Sequence, residues 1–305
     1  MARQFEPVQL GSIESFCRAA EVGSFTAAAE QLGVTPASVS RAIGRLEERL
    51  GVRLFTRTTR SVRLTSDGAL YYAQCQQALE QIAEAERAIT GRQREPRGLV
   101  RVSVGTVYGH HRVVPLLPGF MSAYPRVDVE LNVSNRNIDF VEDGFDVAIR
   151  LGEPRDSRLI ARKLEDATVG IFGAPSYLGD HGRPDTLEEL AQHALIQFVL
   201  PSTGRPMPWI LRNAAGEEID FSFKSRRRVH EDVLAGLGWA IAGGGLFQIY
   251  HFVAQEAVKA GQLAEVMQAA GGRTRSFHVL YPHNRHLSAR VRAFVDYLIK
   301  AVGGP

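Results

Sequence analysis

Up to Ile89 the apolar residues of this chain recur every three or four positions, and beyond Gly98 they alternate along short runs. That pattern predicts a helical first part followed by strands and helices in turn. The sharpest stretch is SFTAAAEQLGVTPASVSRAIGRLEERLG (24–51). Ser24 stands where an N-cap is needed, and Ala27, Ala28 and Ala29 leave one side small enough for a second helix to approach closely. Gly33 supplies a tight turn, and Thr35 caps the next helix with Pro36 at its first position, where a missing N–H costs nothing. Val39, Ile43, Leu46 and Leu50 fall at helical spacing and are expected to face inward. Ser38, Arg41 and Arg45 take another side, and Gly51 ends the helix. Two short helices, the second basic and well capped, predict a helix-turn-helix able to enter a DNA major groove.

RLFTR (53–57) and VRLT (62–65) alternate like two short strands around the polar turn Thr58, Thr59, Arg60 and Ser61. They predict a wing carrying Arg57 and Arg60 at its tip, suited to phosphates or a minor groove. Thr65, Ser66 and Asp67 then open a long helix to about Ile89, with Tyr72, Cys75, Leu79, Ile82 and Ile89 on one stripe. Either this helix packs on its own domain or it pairs with a second copy, the second being the preferred reading.

GRQREPRG (91–98) is polar, ends in Pro and Gly, and reads as a hinge. LVRVSVG (99–105), VDVELNV (127–133), DVAIRLG (146–152), TVGIFGAP (168–175) and SFHVLYP (276–282) read as strands. Helices are expected at Thr186 to His193 and Glu231 to Ala242. A last helix should bury Val291, Phe294, Val295, Leu298, Ile299 and Val302. The alternation predicts an α/β fold with a largely parallel sheet, two lobes, and ligands beyond the strand ends or between the lobes. Val233 to Ala254 is apolar and free of charged side chains, but its glycines, Gln248 and His251 favour a buried helix, a glycine turn and a second short helix over a membrane span.

Composition adds little until charge is placed along the chain. The 305 residues are 45% hydrophobic and 23% charged with a formal net charge of +3, ordinary for a globular protein. Between Leu32 and Thr65, however, Arg41, Arg45, Arg49, Arg53, Arg57, Arg60 and Arg63 face only Glu47 and Glu48, whereas Ser66 to Gly91 is acidic. Positive charge gathers on the helix-turn-helix, as phosphate contact requires. Cys17 and Cys75, the two cysteines, have no metal-like spacing and fit a reducing cytoplasm, and no secretory signal is visible in MARQFEPVQL. A core role is expected for Cys17 and a place on the pairing stripe for Cys75. No nucleophile–base pair, phosphate loop or metal constellation is apparent, so neither an enzyme nor a cofactor is expected. His110 with His111 and His283 with His286 lack further ligands, and KSRRR (224–228) reads as a solvated strand edge.

The order of basic helix-turn-helix, linker helix, hinge and two-lobed α/β domain resembles the LysR-type transcriptional regulators over essentially the whole chain. The densest match is FCRAAEVGSFTAAAEQLGVTPASVSRAIGRLEERLGVRLFTRTTRSVRLTSDG (16–68), joined by FVEDGFDVAIRLGEP (140–154), GAPSYLGDHGRP (173–184), AGLGWAI (235–241) and YPHNRHLSARVRAFVDYL (281–298). One departure is the run Gly243, Gly244, Gly245, Leu246, Phe247, where similar proteins often place a Pro. The resemblance implies an N-terminal all-α winged helix-turn-helix (1–65), a dimerisation helix (66–90), a hinge (91–98) and an effector-binding α/β domain like periplasmic binding proteins (99–305). Lobe I would take about 99–167 and 272–305, and lobe II about 168–271.

Geometry and resemblance together nominate Thr35, Pro36, Ala37, Ser38, Arg41 and Arg45 for the DNA groove, and Arg57, Thr58, Thr59 and Arg60 for its backbone. For an effector the strand ends nominate Thr106, Tyr108, Gly109, Ser134, Asn135, Gln197, Phe198, His230 and Phe247. The implied partners are double-stranded DNA, a small organic acid, RNA polymerase and further copies of the chain as a dimer and then a tetramer, with no membrane. The rival readings are an effector-independent repressor and a ligand-binding protein or enzyme with a DNA-binding appendage.

Overall fold

The computed structural model describes residues 8–57, 62–89, 95–136, 138–140, 143–154, 158–213, 215–283 and 287–303. The chain divides into two units, up to Arg94 and from Glu95 onward. The first holds α1 (Val8–Val22), α2 (Phe25–Leu32), α3 (Pro36–Leu50), β1 (Phe55–Arg57), β2 (Val62–Leu64) and α4 (Ser66–Ile89). Phe16, Ala19, Ala28, Ala29, Val39, Ile43, Leu46 and Leu54 build its core, and the two alanines of α2 are fully buried, which lets α1 and α3 close on them. β1 and β2 pair antiparallel, Phe55 opposite Leu64 and Arg57 opposite Val62, so the wing forms. Its tip, with Thr58, Thr59 and Arg60, lies outside the described residues.

One expectation for α3 is corrected. Leu50 is 37% exposed, while Glu47, one turn earlier, is only 4% exposed. The Glu47 carboxylate accepts from the Leu54 and Phe55 backbone N–H groups at 2.9 and 3.2 Å and from Arg53 at 2.9 Å. A carboxylate with three donors satisfies its buried oxygens and so takes the inward place; it also ties α3 to the start of the wing.

The second unit runs through β3 (Gly98–Val104), α5 (Thr106–Tyr108), a π-helical turn (Gly109–Val113), α6 (Val114–Ala123), β4 (Val127–Val133), β5 (Val147–Leu151) and β6 (Leu159–Gly173). There follow α7 (Pro175–His181), α8 (Leu187–Gln192), β7 (Ile196–Val199), β8 (Trp209–Arg212), β9 (Glu218–Phe221), β10 (Arg227–His230) and α9 (Val233–Ile241). β11 (Phe247–Tyr250), α10 (His251–Lys259), β12 (Ala264–Val266), β13 (Thr274–Pro282) and α11 (Ala289–Val302) complete it.

The main sheet has the order β11-β6-β13-β5-β3-β4, with β12 also on β6. It is mixed rather than largely parallel. β3 is parallel to β4 and β5, but β13 inserts antiparallel between β5 and β6, and β11 and β12 are antiparallel to β6. β6 serves both lobes: Leu159 to Thr168 pair with β13, and Val169 to Phe172 pair with β11. Two long strands thus carry the chain from one lobe into the other. In the second lobe β7 pairs parallel with β10, and β8 with β9 forms a hairpin. α11 buries Val291, Phe294, Val295 and Leu298, with its N-terminus capped by Ser288.

The apolar run 233–254 resolves into α9, a glycine turn at 243–245, the strand β11 and the start of α10, so the helix and the turn stand as expected and a strand comes between the turn and the second helix. Among the described residues no helix is long and apolar enough to cross a membrane.

Candidate nucleic-acid interface and ligand cleft

The turn before α3 is built as its sequence requires. Gly33 takes φ 65°, open to glycine without strain, and closes α2. Thr35 is extended, and its Oγ1 accepts from the Ser38 N–H at 3.2 Å. The same oxygen lies 2.9 Å from Ser38 Oγ, so the Ser38 hydroxyl is held beside the cap. Pro36, Ala37, Arg41 and Arg45 are exposed, and Ser38 is half-buried. Among the described residues neither Arg41 nor Arg45 is in an ion pair, Glu48 included. Pro36, Ala37, Ser38 and Arg41 share the leading part of α3 and Arg45 follows one turn after Arg41, with Val39, Ala42, Ile43 and Leu46 buried behind them. A rigid helix presenting unpaired guanidinium groups beside small side chains can follow a groove and read base edges. Of the wing residues, Arg57 sits at the end of β1.

The effector candidates separate into three groups. Thr106 and Asn135 meet: Asn135 Oδ1 accepts from the Thr106 N–H at 3.1 Å, and Asn135 Nδ2 donates to Thr106 Oγ1 and, at 2.7 Å, to the Glu231 carbonyl. The Thr106 backbone N–H, at the start of α5, is therefore taken by a side chain. Ser134 Oγ accepts from the Arg136 N–H at 3.2 Å. Phe198 and Phe247 form the second group, together lining a cavity of about 50 Å³ with Met207, Trp209, Val233, Tyr250 and Arg275. His230 is exposed at the end of β10, next to Glu231.

The third group belongs to the core. Tyr108 is 0% exposed, stacked on Phe277 with ring centroids 4.3 Å apart, and burial pushes its phenol well above the usual range. Gly109 is packed against Val104 and Val133. Gln197 is buried, and its Nε2 donates to the Phe223 carbonyl at 2.7 Å. These three follow or end strands in sequence, but their side chains turn into the packing.

Two arginines were missed. Arg275 donates to the Pro208 carbonyl at 2.9 Å on the cavity wall, and burial lowers its pKa. Arg150, in β5, donates to Ser103 Oγ at 2.7 Å and to the Ile149 and Arg136 carbonyls at 2.9 and 3.1 Å. Burial brings it down to about 10. Arg150 has one signal in the sequence, a lone arginine within the otherwise apolar strand β5, whereas Arg275, between Thr274 and Ser276, has none.

On α4, Tyr72 and Leu79 pack half-buried against the core of the first unit, and Cys75 is inside it. Cys75 is thus a core residue of its own unit rather than a free member of a pairing stripe, because α1 covers that side of α4. Ile82 is exposed; the Ile89 side chain lies outside the described residues. Among those residues no three His, Cys, Asp or Glu side chains cluster to hold a metal. His110 is exposed, His111 is packed on Phe252, and His286 is not described. Lys224, Arg226 and Arg228 are exposed at and before β10.

Comparison with known proteins agrees with this arrangement. Residues 10–69 match the family described as bacterial regulatory helix-turn-helix protein, lysR family, and residues 93–303 match the LysR substrate binding domain. The chain is 34% identical over 292 residues to an HTH-type transcriptional repressor of Pseudomonas aeruginosa, covering 96% of this chain and 92% of the relative. It is 33% identical over 289 residues to the HTH-type transcriptional regulator CrgA of Neisseria meningitidis, covering 94% and 95%. The solved structure of that regulator aligns with TM-score 0.61 over 99% of this chain and all of the other, at 30% identity. The full-length Vibrio cholerae virulence activator AphB aligns with TM-score 0.60 at 29% identity, covering 96% and 99%.

Proposed function

The chain belongs to the LysR family of transcriptional regulators, and from that premise we propose that it reads an interrupted palindrome as a dimer and responds to a small organic acid. The DNA reading is supported by the exposed leading face of α3, where Ala37, Ser38, Arg41 and Arg45 stand in front of a fully packed core. The wing at Arg57 to Arg60 would hold the phosphate backbone. α4 beyond Cys75 would supply the dimer contact, with dimers joining as tetramers and meeting RNA polymerase in the cytoplasm. The relatives include one named a repressor and one named an activator, so the sign of regulation is left to experiment.

The acid is supported by the cavity that Phe198 and Phe247 share with Arg275. A half-buried guanidinium among apolar and aromatic walls favours a carboxylate on a small apolar body. The cavity holds one or two waters' volume at most, so the ligand would enter a more open arrangement of the lobes. It shifts regulation only by binding one arrangement better than the other.

Selection of bound sequences from random DNA with the full-length protein tests the first part. An interrupted palindrome is expected, with Arg41→Ala losing roughly tenfold or more in affinity for it and reducing the salt slope by about one. Binding to every sequence alike by folded protein overturns it. For the second part, melting of the full-length protein with benzoate-like and aliphatic carboxylates is compared with their amides. A rise confined to acids, lost in Arg275→Gln, is expected; equal response to the amides overturns the acid reading, and no response to acid or amide favours an effector-independent repressor.

A further inference from the structure

From the end of β9 to the end of β10 the exposure of the chain alternates residue by residue, as it does along an extended strand. Phe221, Phe223, Ser225, Arg227 and Val229 are half-buried or buried, whereas Ser222, Lys224, Arg226, Arg228 and His230 are exposed. The inward side is firmly seated. Phe223 packs on Trp209 with ring centroids 5.0 Å apart and on Phe221 at 5.7 Å. The Arg227 N–H donates to Ser225 Oγ at 2.9 Å, and β10 pairs with β7, Val229 opposite Phe198. The outward side carries three cationic side chains in a row, and residues 222–230 include no acid. Among the described residues Lys224, Arg226 and Arg228 are in no ion pair. The carboxylates just before them are engaged elsewhere, Glu218 by Arg212 and Arg273 and Asp220 by Arg273. Arg228 Nε donates to the Ser225 carbonyl at 3.1 Å, which holds that guanidinium close to the chain. We propose that this ladder is a second DNA contact, at which Lys224, Arg226 and Arg228 grip the phosphate backbone; it rests on the reading of α3 as the helix that enters the groove.

Alternate residues of an extended chain stand about 6–7 Å apart, close to the step between successive phosphates of one DNA strand. A rigid row of cations at that spacing meets a rigid row of anions with little left to order. A protein partner would instead need apolar or aromatic anchors, where interfaces concentrate their binding energy. The outward positions 222, 224, 226, 228 and 230 carry none. Guarding a strand edge against pairing accounts for charge within β10, but Lys224 and Arg226 precede that strand. Both units belong to one chain, so DNA held by the first is presented to the second at high effective concentration, and contacts too weak to hold DNA alone still count. Such contacts read no sequence; they add affinity and steepen its dependence on salt.

The test uses full-length protein and its selected site set within a longer duplex, with affinity measured over roughly 50 to 200 mM salt. The triple variant Lys224→Gln, Arg226→Gln, Arg228→Gln should melt with the wild type, since all three side chains are exposed. Its salt slope should fall by about two to three, with affinity down roughly tenfold or more at the lower salt. Neutralising Arg126, Lys259 and Lys300, exposed elsewhere on the second unit, removes the same charge and should leave the slope nearly unchanged. An unchanged slope in the ladder variant, or an equal fall in this control, overturns the proposal. Arg41→Ala separates it from its premise. If that variant loses its preference for the selected site while the ladder variant keeps the wild-type slope, the ladder alone is struck. If the wild type prefers no sequence, the reading of α3 falls and the ladder proposal with it.

Discussion

Asn135 donates its side-chain amide to the Glu231 carbonyl at 2.7 Å, joining the end of β4 to the loop after β10. Glu231 is held at φ 61°, a left-handed conformation that a non-glycine residue adopts at a cost of about 1 kcal/mol. The contact therefore clasps the two lobes at a strained position. In Asn135→Ala the Thr106 N–H loses its acceptor and the Glu231 carbonyl its donor. Hydrogen exchange at the Thr106 amide should quicken by roughly five- to tenfold, the worth of about one hydrogen bond. Unchanged exchange there would mean that the clasp does not hold the cleft.

Glu47 is the second point where one side chain organises several backbone groups. Glu47→Ala leaves the buried Leu54 and Phe55 N–H groups without their acceptor, and about 3 kcal/mol of stability should be lost from the first unit. Glu47→Gln keeps an acceptor oxygen and should lose about half as much. Thermal unfolding of the full-length variants, followed by circular dichroism, reads the difference.

Glu47 also marks what the sequence hides. The caps at Ser24 and Thr35, the turn at Gly33 and the inward Val39, Ile43 and Leu46 were legible because local hydrogen bonding and helical period decide them. Whether Glu47 or Leu50 faces inward depends on the two N–H groups that β1 brings to it, and those come from outside the helix. The first half of β6 was missed because Ala161, Arg162, Lys163 and Asp166 are exposed and give no apolar alternation. β11 was hidden in a run where continuous apolarity suits helix and strand alike. The antiparallel insertion of β13 has no local signature at all. At the cleft the strand ends were located correctly, but strand-end position does not fix side-chain direction: Thr106 and Asn135 face each other, while Tyr108 turns onto Phe277.

Acid should weaken the second unit through two half-buried histidines. Burial, then His110 and Arg112, hold His111 below the usual imidazole value, and burial followed by His181 does the same for His193. In the unfolded chain both titrate near 6.5. As pH falls below that value the unfolded state takes up protons that the folded state still refuses, so stability is lost until the folded-state values are reached. Stability is correspondingly full above about 6.5. Denaturant midpoints at about pH 7.5 and 5.5 should show the drop, and His111→Gln should make it smaller. A variant with the wild-type slope would place the proton uptake elsewhere.

Gly68 tests the junction between wing and α4 by space alone. A Cβ built on it would lie 2.0 Å from the Leu54 carbonyl oxygen and 2.9 Å from the carbonyl carbon. That carbonyl cannot retreat easily, since it accepts from the Thr65 N–H at 3.0 Å and Leu54 is bound to Glu47 on its other side. Thr65 in turn caps α4 by accepting from the Gly68 N–H at 2.9 Å and donates to the Arg53 carbonyl at 2.7 Å. Gly68→Ala must therefore push apart backbone that these four hydrogen bonds fix, and about 3 kcal/mol or more should be lost. Gly11, on the exposed side of α1, has nothing within 4 Å of its Cβ position. Gly11→Ala should instead add about 0.5–1 kcal/mol through helix propensity. Opposite shifts in melting temperature from the same chemical change would establish that α4 is seated on the wing by close backbone contact; equal shifts would show that the junction yields.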